Sequence, residues 1–178
     1  LPTHRLIKMP QFNIEEFLNK MKTYFIIEEK TVKTGKSVYD KIGKQIMKDI
    51  EAEEDHKFAL YHKGKYYILT LKDVNVMDEL ASERSKTWRT LDVSILHKLI
   101  LEQGVGINDN NLEDHIKYTR VDGEALQLVD EGKFDLSFLI NATKIEQLKA
   151  IAEAGEHMPQ KSTYFLPKML SGLVMYKM

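Results

Sequence analysis

The chain has 178 residues, 43% hydrophobic and 30% charged, which is enough for one substantial core or two small ones and too apolar for a disordered segment. Its 26 basic and 27 acidic side chains leave a net charge of −1, so no global field draws it to nucleic acid. It has no cysteine, which removes disulfides, thiolate metal sites and cysteine nucleophiles, and with no apolar run of membrane-spanning length and no signal peptide the expected setting is cytoplasmic.

The chain opens on Leu1 within strand-like residues and is read as the C-terminal fragment of a longer protein, spanning 1–178. Thr3–Met9 reads as a short strand stopped by Pro10. Asn13 is placed as an N-cap, with Glu16 three residues on and Ile14, Phe17, Leu18 and Met21 at helical spacing. A strand from Tyr24 is broken by Thr34–Ser37. A helix from about Val38 to about Asp55 then carries Ile42, Ile46 and Ile50 on one face. The run "FALYHKGKYYILTL" reads as a hairpin turning at Lys63-Gly64-Lys65. Residues 73–91 are polar and weakly patterned. They suggest a loop with a short helix, and a weak boundary between two closely packed subdomains if there are two.

Beyond them, Asp92 is placed as the cap of a helix closed by Gly104, and "HIKYTRV" reads as a strand. Asp122 is placed as the cap of a helix ended by Gly132, and the nearly continuous apolar run "FDLSFLI" reads as a central strand. Thr143 and Glu146 form a capping box for a helix ended by Gly155, and "SGLVMYKM" supplies a last strand. The expected fold class is α/β in the mixed α+β sense: an open mixed sheet with a β-hairpin and helices packed on it.

Most chemical motifs are excluded on spacing. "TGKS" at Thr34–Ser37 matches the end of a phosphate-binding loop, but Lys30 stands where the first glycine belongs. The six histidines (His4, His56, His62, His97, His115 and His157) form no metal-binding pair on a helix, and the acidic residues at 109–114 lack the regular oxygen spacing of a calcium loop. No nucleophile elbow occurs, so no catalytic residue and no metal ligand is assigned.

Two places remain. The turn at Ile140–Thr143, with Asn141, follows an apolar strand and opens a capped helix, where anions bind in open sheets; plain capping is the alternative. In "MPQKSTYFLPK", Lys161, Ser162, Thr163 and Lys168 present two positive charges beside hydroxyls, which suits a phosphate or carboxylate. Thr3, His4 and Arg5 form a second small group of the same chemical kind. The alternative is that the aromatics of this loop fill the core while its lysines are solvated.

The strings "LPTHRLIK", "LDVSILHKLILE" and "GEALQLVDEGKFDLSFLINATKIEQLKAIAEAGEHMPQKSTYFLPKMLSGLVMY" resemble the C-terminal part of a family of unknown function. Its members are often labelled SpoOJ/ParA/ParB/RepB-family, or ParB-like, proteins. The resemblance covers nearly all of the chain and is strongest from Leu91 to the end. It implies that a nucleotide could act only with an N-terminal part that this sequence does not include, and it transfers no residue roles. The leading expectation is a ligand-binding or substrate-completing domain that holds an anionic small molecule through the Lys-Ser-Thr loop. The alternatives are a dimerisation or partner-docking domain, with a homodimer as the simplest form, and DNA-partition-related binding resting on the family label alone. No membrane partner is expected, and nucleic acid is disfavoured for this fragment.

Overall fold

The computed structural model describes residues 1–33, 35, 38–52 and 54–162. Their fold is α+β, with helices on both faces of an open six-stranded sheet of order β2-β4-β3-β6-β1-β5. The strands are β1 His4–Ile7, β2 Phe25–Thr31, β3 Lys57–His62, β4 Lys65–Leu71, β5 Ile116–Thr119 and β6 Leu136–Leu139. Every strand pairing among the described residues is antiparallel, so the parallel pairs that make a sheet mixed do not occur there. The helices alternate with strands in sequence, but β1 is inserted between β6 and β5, and this placement sets the strand directions.

Strand alternation divides the interior into two layers. Ile7, Phe58, Leu60, Leu136 and Phe138 face one core, whereas Leu6, Ala59, Tyr61 and Leu139 face the other, because successive side chains of a strand leave opposite faces. The larger core is covered by α1 (Ile14–Met21), α3 (Val76–Leu80), α4 (Lys86–Arg89), α8 (Ile145–Glu153) and a continuous helix built from α5 (Asp92–Ile95) and a wider π-helical stretch, Leu96–Val105. The smaller core is covered by α2 (Tyr39–Ile50) and α7 (Asp122–Asp130). Each fully buried Phe or Leu in these layers contributes roughly 1.5–3 kcal/mol. No helix of the described residues is long and apolar enough to cross a membrane.

Local signals explain most boundaries. Asn13 accepts the N–H groups of Glu15 and Glu16 and so starts α1. The β3–β4 hairpin turns on Lys63 and Gly64, both with positive φ (46° and 75°), as a two-residue turn matching strand twist requires. Asp92 and Asp122 are first residues of their helices rather than caps, and each carboxylate instead meets a histidine: His56 Nδ1 at 2.7 Å and His4 Nε2 at 2.8 Å. The helix expected to close at Gly104 runs on to Val105, because the left-handed residue that ends it is Gly106 (φ +75°), while Gly104 leaves room for the ring of Phe17 in α1. The capping box of α8 lies one residue later than the sequence suggests: the Lys144 N–H donates to Gln147 Oε1, and Thr143 is used elsewhere. Residues 73–91 send Met77, Ala81, Trp88 and Leu91 into the larger core. The expected last strand, "SGLVMYKM", lies outside the described residues.

Candidate functional site

β1 is bonded on both edges and covered on both faces, so its polar residues cannot reach water. The Arg5 side chain is fully buried on the face that carries the larger core, opposite Tyr118 of β5 and Phe138 of β6 in register. A buried guanidinium normally sits on a carboxylate, because leaving its charge unpaired in a poorly polarisable interior is costly. Among the described residues Arg5 has no such partner. One terminal nitrogen donates to the carbonyl of Thr3, and the other lies 3.3 Å from His97 Nε2. The Tyr118 ring covers its carbon at 5.7 Å, and its Nε–H meets no acceptor. Of the five N–H groups a guanidinium carries, only two are therefore engaged by the described protein.

The surroundings respond to this charge. Burial lowers the Arg5 pKa to about 10, which still leaves it positive at neutral pH. Burial, followed by the charges of Arg5 and Lys98, lowers His97 to about 3, so the ring is neutral and offers Nε2 as an acceptor to Arg5. Ser94 lies one turn before His97 and so on the same side of the helix; it is fully buried, and its hydroxyl has no partner. Two orphaned polar atoms, Arg5 Nε and Ser94 Oγ, therefore sit on strand β1 and on the helix that covers the same sheet face. Buried polar groups are nearly always satisfied, so such a pair points to a missing bonding partner.

Tyr118 has a second role in this arrangement. It also lines a surface groove of about 420 Å³, together with Glu113, Asp114, Lys117, Gln160 and Lys161. Lys161 is exposed, with a left-handed backbone (φ 55°) that is uncommon for a residue bearing a side chain. Tyr118 is thus shared between the groove that Lys161 lines and the buried arginine.

The other expected site residues are placed differently. Thr3 supplies its carbonyl to Arg5. His4 points to the opposite face of the sheet, where Nε2 meets Asp122 and Nδ1 accepts the Ile140 N–H at 3.4 Å, so both ring nitrogens are used within the fold. Strand alternation thus splits the Thr3–Arg5 group. Asn141 donates to the Ile50 carbonyl at the end of α2 (2.9 Å). Ser162 is buried; its hydroxyl donates to the Pro159 carbonyl, while its own carbonyl accepts from Thr143 Oγ1 at 3.2 Å. The loop therefore does pack against the 140–143 turn. Thr163 and Lys168 lie outside the described residues. Ser94 and Tyr118 drew no attention as sequence, and His97 was weighed only as a metal ligand. The signal that could have singled out this region is an arginine in the middle of a short strand that both neighbouring strands and both layers bury. No group of three or more metal-ligating side chains occurs among the described residues.

A family model described as a protein of unknown function, DUF1015, matches residues 1–94, which is 94 of the 178 residues. The chain belongs to the DUF1015 family. Nothing in the match points to ParB-like or SpoOJ proteins, and it covers the N-terminal half rather than the region from Leu91 onward. The expected ParB-like kinship is therefore corrected. No curated protein and no solved structure matches the chain. Within it, the DUF1015 segment holds Thr3, Arg5 and Ser94, whereas His97, Tyr118 and Lys161 lie beyond the segment's end. The candidate site is thus built jointly by the family segment and the residues that follow it.

Proposed function

We propose that this DUF1015 chain is a small-anion-binding domain in which Arg5 is the anchoring cation. One observation carries the reading: a fully buried guanidinium with an unpartnered Nε–H and, among the described residues, no carboxylate against it. A bound anion would supply the missing charge and the missing acceptors together, and charge-assisted bonds of this kind are the strong ones. Lys161, which lines the same groove as Tyr118, adds a second positive charge there. The proposal keeps the cytoplasmic setting expected from the sequence. It assigns binding and no reaction.

Thermal unfolding of the whole chain with chloride, acetate, sulfate and phosphate tests the reading. A specific ligand raises the midpoint in a saturable way, and substitution of Arg5 by Gln removes that rise. Sulfate and phosphate also stabilise proteins without specific binding, so the comparison with Arg5→Gln decides. An equal rise in both proteins, or no rise in either, would refute the assignment.

A further inference from the structure

We infer that the anion is a monocarboxylate, and that it reaches Arg5 from the groove by displacing the ring of Tyr118. This rests on the anion-binding reading above and adds the ligand class and the route.

The class follows from charge. Arg5 brings one positive charge into the interior, and the groups facing it add none: Tyr118 from β5, Phe138 from β6, and a His97 that burial and Arg5 itself keep unprotonated. Lys98, the next cation along the helix, is bonded to Glu102 at 3.1 Å. A single negative charge neutralises this site. A phosphate dianion would leave one negative charge uncompensated among Ile7, Phe17 and Phe138, which belong to the same core face. A carboxylate also offers two oxygens at the spacing of parallel guanidinium N–H groups. One terminal nitrogen of Arg5 is already held by Thr3 and the other by His97, which limits the ligand to few further contacts.

The route follows from Tyr118. Tyr118 is the residue that both lines the groove and lays its ring against Arg5. It is half-buried on β5, an edge strand of the sheet among the described residues. Rotation of this side chain about its Cα–Cβ bond opens the guanidinium to the groove. Glu113 and Asp114 in the groove lining are balanced by Lys117 and Lys161, so the groove itself carries no net charge and the discrimination rests on Arg5.

The test titrates the whole chain at neutral pH with acetate, propionate and benzoate, and separately with inorganic phosphate and sulfate, following the aromatic resonance of Tyr118 by NMR. Comparison with Tyr118→Phe assigns that resonance. The expected result is saturable shifting by carboxylates at affinities at least about ten-fold above phosphate. Loss of carboxylate binding in Arg5→Gln, weakening in Arg5→Lys, which retains the charge but not the fork, and faster association in Tyr118→Ala complete the expectation. Phosphate binding as well as the carboxylates, with dependence on Arg5, would overturn the monocarboxylate assignment and leave the anion-binding domain standing. Association unchanged in Tyr118→Ala would overturn the route. Carboxylate binding that survives Arg5→Gln but is lost in Lys161→Ala would overturn both this inference and the role of Arg5 as anchor. Should Arg5→Gln fail to fold, Arg5→Lys decides on the same readout.

Discussion

At the residue scale, Arg5 carries a charge that the folded chain does not repay. Where a buried ion has complete partners, removing one typically costs about 3–5 kcal/mol, but replacing unrewarded buried charge by an apolar side chain of similar volume is often neutral or stabilising by about 1–4 kcal/mol. Arg5→Met is therefore expected to leave ligand-free stability unchanged or higher in denaturant titration, while abolishing anion-dependent stabilisation; a loss of about 3 kcal/mol or more would mark Arg5 as structural. His97 gives a second test. Its pKa falls from 6.5 to about 3 on folding, so between those values the unfolded chain binds more protons than the folded one. Stability then falls as pH drops from about 6.5 toward 3, with a slope below about 1.4 kcal/mol per pH unit from this group. In His97→Gln that component is expected to vanish, seen as a flatter pH dependence of the unfolding midpoint than in the parent. Neither residue could be weighed properly from the sequence. Arg5 reads in sequence only as one member of a small polar group, because burial on both faces of β1 depends on β5 and β6, which lie more than a hundred positions away.

At the scale of elements, α2 and α7 cross where Gly43 meets Gly123. A Cβ at Gly43 would stand 2.7 Å from the Asp122 Cβ and 2.8 Å from its carbonyl carbon, so nothing flexible could yield. Gly43→Ala is expected to cost at least about 1–3 kcal/mol by overpacking. It should also disturb the His4–Asp122 contact, since the same Asp122 is pushed. Gly132→Ala offers the contrast: no atom lies within 4 Å of its Cβ, and only the left-handed backbone (φ 71°) resists, at about 1–2 kcal/mol. Chemical denaturation of the two variants separates crowding from conformation. Local elements were the legible part of this fold. The cap of α1, the hairpin at Lys63-Gly64 and the buried run of β6 follow from nearest-neighbour chemistry, which the sequence carries in full. Asp92 and Asp122 were misjudged because their partners, His56 and His4, are distant in the chain, and a carboxylate at a helix start looks the same whether it caps or pairs.

At the scale of the molecule, the DUF1015 segment and the residues after it are interdependent. β6 separates β3 from β1, and β1 pairs with β5 and β6, so residues 1–94 alone leave β1 without a neighbour in the sheet. A chain of residues 1–94 is expected to lack cooperative unfolding by circular dichroism, whereas a sharp transition at the parent's midpoint would show the segment to be self-sufficient. The insertion of the first strand between two late ones was not legible, since strand order is set by long-range pairing and not by the local pattern that marks each strand. The same long-range pairing brings Arg5, His97 and Tyr118 together, so the candidate site is a property of the whole fold. The most direct test of its role is an isothermal titration of the whole chain with acetate, run beside Arg5→Gln. The account predicts saturable one-site binding to the parent and none to the variant. Identical heats in the two proteins would contradict it.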